Sequence, residues 1–196
     1  MRTSTRSAHP AARPSASPAG TRPSSSALPL SFGLLAASAL ISVVLAFSEV
    51  RVVSRDSLLP IAALTTALAA VRIGWWREET AGGPDASASS ETERRRICYF
   101  WANLLLAGAA IAFSPIFGLY LFMGYYEAAR SRVRAQHWAG MIGTALVIAV
   151  AQLGGPTSPI FTLPIYLLFV AINIGIASVM LVLDRNREAL MDELAA

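Results

Sequence analysis

The sequence predicts an all-α membrane protein: a polytopic bundle of about six transmembrane helices with both termini in the cytoplasm. Three observations carry this expectation. The chain is 55% hydrophobic, has a mean hydropathy of +0.53 and is only 14% charged, whereas about a quarter of a soluble domain is charged. Apolar runs of spanning length recur along it, and a bilayer crossing needs roughly 17–25 mainly apolar residues. All 16 basic residues are arginines, since no Lys occurs. They gather in the segments that alternate crossings would place on one side, which is how short basic loops orient a membrane protein.

Residues 1–27 hold Arg2, Arg6, Arg13 and Arg22 among Ser, Ala and Pro, with no acid. Such a segment cannot bury enough apolar surface to fold, so a disordered basic cytoplasmic tail is expected. A membrane domain is expected over residues 28–183. Its first span, 28–47, is too long for the apolar part of a signal peptide, and no small-x-small cleavage pattern follows it. The second span is 58–76. In it Ala62, Thr66, Ala70 and Gly74 recur every four residues, a stripe that lets another helix approach closely. Arg72 lies inside this run, one turn from Trp75 and Trp76. It is expected to snorkel to the cytoplasmic headgroups; the rival is a charge buried in a sensing cavity. A polar linker, residues 77–96, ends in Arg94–Arg96.

The third and fourth spans are expected at 97–113 and 115–129. Ser114–Pro115 separates them, because proline removes a helical donor and biases the preceding residue towards extended backbone. The rival is one long kinked helix. Arginine placement favours the hairpin. With six spans, thirteen arginines fall on the cytoplasmic side and only Arg51 and Arg55 outside. With five, Arg130, Arg132, Arg134, Arg185 and Arg187 would move outside, against the orienting rule. The fifth span is expected at 137–153 and the sixth at 163–183. Residues 184–196 read as a cytoplasmic continuation of span six. Leu183, Leu190 and Leu194 stand at coiled-coil spacings there, and opposite charges pair at i,i+3.

The stretch from Ser114 to Gly155 carries a family resemblance. Ser114, Pro115, Phe117, Gly118, Phe122, Gly124 and Tyr125 precede a basic turn; Trp138, Ala139, Gly140, Gln152, Gly154 and Gly155 follow it. This pattern resembles the membrane domain of bacterial sensor histidine kinases of the type paired with helix-turn-helix response regulators, over about residues 97–196. The resemblance implies a multi-pass protein of the bacterial plasma membrane and a homodimer in the lipid bilayer. It further implies a signal passed through span six to a cytoplasmic kinase module and its response regulator. ATP and Mg would belong to that module, and no cofactor is expected in this chain.

Residue chemistry narrows the rest. His9 and His137 lack the acidic context of a phosphoacceptor, and no glycine-rich nucleotide pattern occurs, so no kinase activity is expected of this chain alone. Metal chemistry needs convergent His, Cys or carboxylates; the chain offers two distant His and Cys98. The arginines flank spans instead of forming one soluble basic face, so nucleic acid is not an expected partner. The informative polar residues are Asn103, Gln152 and Asn173. A lone amide facing lipid is costly, so each is expected to bond another helix. They serve either as structural glue or as a sensing pocket. Residues 152–155, at the outer mouth, are the first candidate for a ligand- or lipid-responsive site. Glu127 and Arg130, one turn apart, are expected to form a surface pair. The alternatives to a sensor are a small transporter, which needs polar groups lining a path, and a stand-alone membrane partner protein.

Overall fold

The computed structural model describes residues 27–48, 53–81, 90–129, 131 and 133–194. The expected basic tail, the tips of the polar linker and of the basic turn, and Ala195–Ala196 lie outside these residues. Six α-helices and no strand occur among the described residues: α1 (Ala27–Phe47), α2 (Leu58–Ala81), α3 (Ser90–Phe113), α4 (Gly118–Ala129), α5 (Arg134–Gln152) and α6 (Leu163–Leu194). Four of them carry segments long and apolar enough to cross a membrane: Pro29–Phe47, Arg55–Arg77, Glu91–Phe113 and Leu163–Leu183. The chain is therefore an all-helical bundle with the composition of a membrane protein.

The expected fourth span is corrected in two ways. Pro115–Phe117 forms a 3-10 turn, and the α-helix begins only at Gly118. The remaining 12 residues rise about 18 Å, well short of a hydrocarbon core of about 30 Å. The short helix is held instead by its neighbours. Gly118, Tyr120, Leu121, Met123, Gly124 and Ala128 are all buried, and α4 packs on α1, α3 and, most extensively, α5. Helix bounds also move: α2 runs to Ala81 and α3 begins at Ser90, so the two described ends of the polar linker are helical, and α5 begins at Arg134.

The rival kinked helix does not form. Ser114 takes extended backbone (φ −151°, ψ 112°), with Pro115 at the first position of the following turn. This reverses the chain, and α4 runs back along α3: Tyr120 reaches Asn103, and Ser131 reaches Glu93. The turn is pinned to α1 by Ser42 and Ser114, whose hydroxyls lie 2.7 Å apart. Ser31, Leu35, Ser38, Ser42 and Ala46 form the buried face of α1. Their helical spacing turns every hydroxyl of that face inward, while Leu40, Val43 and Val44 point out.

The stripe on α2 does not pack within this chain. Ala62, Thr66, Ala70 and Gly74 are all exposed. The buried face of α2 is the opposite one, Ile61, Leu68 and Arg72, because the larger side chains fill the gap to α1 and α3. Helix α6 lies outermost, with α5 as its main partner; only Val170, Asn173 and Ala177 of its described side chains are buried.

Candidate functional site: a buried charged cluster

Burial of a guanidinium requires partners for its donors, and three neighbouring helices supply them to Arg72 of α2. The residue is only 6% exposed. Its Nε donates to Ser31 Oγ on α1 at 3.0 Å. Its Nη1 donates to the Tyr99 hydroxyl on α3 at 2.6 Å and to Glu127 Oε1 on α4. The Glu127 side chain is itself mostly buried, at 16% exposure. The Arg72 guanidinium carbon also stands 5.9 Å from the centre of the Tyr99 ring, within range of a cation–π attraction. Tyr99 in turn stacks on Trp75 with centroids 4.9 Å apart. The Tyr120 hydroxyl sits beside the same guanidinium and donates to Asn103 Oδ1 at 2.6 Å.

One expectation is thereby overturned. Arg72 does not snorkel: it lies on the inner face of α2, where Glu127 neutralises it, so its charge has no need of the headgroups. Helix α4 turns Glu127 towards Arg72 in the bundle; its expected surface pair with Arg130 lies outside the described residues. A signal for this pairing was present, since opposite charges inside apolar runs usually meet each other. It was obscured by their sequence separation of 55 and by the nearer Arg130.

The second polar centre joins α5 to α6. Asn173 Nδ2 donates to Gln152 Oε1 at 2.6 Å and to the Phe169 carbonyl at 2.8 Å; Gln152 Nε2 faces Asn173 Oδ1 at 3.4 Å. Gly154 (φ 85°) and Gly155 (φ 97°) adopt left-handed backbone that ends α5. The Gly155 amide then closes on the Val150 carbonyl at 2.9 Å, a helix-ending turn that residues with a Cβ rarely adopt. The structure thus brings Gln152 and Asn173 together and seats Gly154 and Gly155 beside them. Asn103 belongs to the charged cluster, and Ser114 and Pro115 to the turn against α1. Leu183 and Leu190 are exposed on α6, and the Leu194 side chain lies outside those described.

Replacing Asn173 with Leu should leave the Gln152 amide without its partner and cost about 1 kcal/mol, as interhelical hydrogen bonds in membranes do. Detergent-unfolding midpoints of Asn173→Leu, Gln152→Leu and the double variant check this. Independent, fully additive losses would show that the pair does not join the helices.

Among the described residues no three His, Cys, Asp or Glu side chains come together as a metal site would require. His137 is buried, edge-on to Trp138 with ring centres 5.6 Å apart. The arrangement offers fixed opposite charges and hydroxyls shared between helices, which can exchange partners as helices shift. Comparison of the chain with protein-family models, curated proteins and solved structures yields no match.

Proposed function

We propose that this chain is the membrane-embedded input domain of a two-component sensor histidine kinase, a multi-pass protein of the bacterial plasma membrane. Its output is α6, which delivers the signal to a cytoplasmic kinase module that supplies the ATP and Mg chemistry. One observation carries this reading. Helix α6 is unbroken over 32 residues, about 48 Å, against a hydrocarbon core of about 30 Å. Residues 184–194 prolong the spanning segment as one rigid rod, so rotation or tilt inside the bundle reappears at its far end. Tyr125 of α4 packs with Ala145, Ala149 and Val170, which places an aromatic ring between the short helix of the charged cluster and α6. A signal acts by favouring one of two such packings, because a ligand shifts an equilibrium only through unequal affinity.

The test joins a heterologous cytoplasmic histidine kinase module after Ala196, with one to four residues inserted at the junction. Phosphoryl transfer to the cognate response regulator should rise and fall with the helical period of about 3.6 residues. Output that is flat across the insertions, or a reporter at Ala196 found outside the cell, overturns the reading.

A second reading, a small transporter or ion path, draws on the buried Arg72–Glu127 pair, since intramembrane charges commonly mark such paths. Proton or cation flux through proteoliposomes, abolished by Glu127→Gln, would favour it over a sensor.

A further inference from the structure

An apolar groove of about 300 Å³ opens on the outside of the bundle. Gly108 and Ala112 of α3 form one wall, Val147 and Val150 of α5 the other; Pro156 and Tyr166, from the α5–α6 connection and the first turn of α6, close the end. It exists because Gly108 and Ala112 are too small to fill the space between α3 and α5. Its walls offer no free hydrogen-bonding group: the Tyr166 hydroxyl already donates to the Leu146 carbonyl at 3.2 Å. The connection over residues 154–162 carries no charge, so nothing here selects a headgroup.

We infer that this groove binds one acyl chain of a membrane phospholipid. Both α3 and α6, which border it, carry spanning-length apolar segments, so the groove faces hydrocarbon along its length. Its size excludes a docked helix. A helix about 10 Å wide has a cross-section of about 80 Å², so 300 Å³ would hold only about 4 Å of its length. A single extended chain fits such a furrow. Its end abuts the Gly155 turn, whose amide holds the Val150 carbonyl, and Gln152 bonds Asn173 of α6 just beyond. Occupancy therefore bears on the joint between α5 and the output helix. The inference rests on the reading of the chain as a membrane input domain and supplies its ligand class.

The test is lipid retention, which requires no kinase output. Full-length protein purified in mild detergent is examined by native mass spectrometry, and cross-linked in vesicles to phosphatidylethanolamine carrying a diazirine within its acyl chain. One phospholipid should remain bound per chain. Cross-links should concentrate at Ala112, Val147, Val150 and Tyr166 over Leu40 and Val44, which are equally apolar and exposed on α1. Ala112 is exposed, so Ala112→Trp fills the groove from outside and should abolish both signals. Gly108→Leu does so independently, the nearest atom to a Cβ there being Val147 Cγ1 at 3.5 Å. Uniform labelling of lipid-facing residues, retention unaffected by both variants, an isoprenoid in place of phospholipid, or groove cross-links between two copies would each overturn the inference. A flat insertion series with retained, Ala112→Trp-sensitive lipid would instead sink the kinase reading and leave the lipid site standing.

Discussion

Glu127→Ala is expected to destabilise the bundle by about 3–5 kcal/mol, the range seen when one member of a buried pair is removed. The cause lies in what remains. Arg72 cannot discharge, since a guanidinium stays protonated, and its side chain is only 8% exposed. Without Glu127 it keeps Ser31 and Tyr99 as hydrogen-bond acceptors, but neither carries a compensating charge. Arg72→Ala should be comparably costly, because it strands the carboxylate. Replacing both, as Arg72→Met with Glu127→Leu, should recover most of the loss, since an apolar pair of similar volume often matches a buried ion pair in stability. Arg72→Lys should fall between, as one ammonium cannot reproduce a planar group that reaches α1, α3 and α4 at once. Reversible unfolding of the purified protein in mixed micelles measures all four. A Glu127→Ala loss below about 1 kcal/mol, the worth of an exposed pair, or a double variant as costly as the two singles combined, would mean that the charges do not meet in a dry interior.

This cluster also shows where sequence reasoning reached its limit. Long apolar runs were legible because hydrocarbon thickness sets a minimum length, and α1, α2, α3 and α6 all carry such runs. The turn at Ser114–Pro115 was legible because proline acts on its immediate neighbours. Which face of each helix looks inward was not legible, because apolar residues surround every helix and leave little contrast between core and lipid. Hence the small stripe on α2 was assigned to packing although its face is exposed, and Arg72, on the other face, was sent outwards. The length of α4 misled for a related reason. Apolar composition continues from α3 through the turn, and only tertiary burial explains why 12 helical residues suffice there. Asn103 illustrates the intermediate case. Its need for a partner on another helix could be argued from the cost of a lone amide, but its partner, Tyr120, could not be named from the sequence.

The interface of α4 with α5 should be the least tolerant of added atoms, and the ranking of glycines tests this sharply. A Cβ at Gly118 would lie 2.7 Å from the Ala151 Cβ, and one at Gly140 would lie 2.9 Å from the Ala128 Cβ and 3.1 Å from Phe100 Cζ. The two alanine neighbours are methyls fixed to helix backbones, so relief there requires the helices to separate. At Gly124 the nearest atoms are Thr144 Oγ1 at 2.8 Å and Cγ2 at 3.0 Å; this β-branched side chain is fully buried and can turn only one of the two away. Gly118→Ala, Gly124→Ala and Gly140→Ala should therefore each cost about 1–3 kcal/mol through overpacking. Gly33, Gly74 and Gly175 have nothing within 4 Å of an added Cβ; alanine there should be neutral or stabilise by up to about 1 kcal/mol, from its better helix propensity. Equal effects at Gly118 and Gly74 would refute the close approach of α4 and α5. The Gly140 contact carries a further consequence. Ala128 adjoins Glu127 in sequence, so the larger Gly140→Val should push the end of α4 away from α5 and displace the carboxylate from Arg72. Gly140→Val and Glu127→Ala should then be less than additive, as variants that break one shared arrangement are. Gly118→Val, at the opposite end of α4, should add to Glu127→Ala in full. A common unfolding midpoint scale for the two double variants separates these outcomes, and it measures how far strain at the α4–α5 contact reaches the charged cluster.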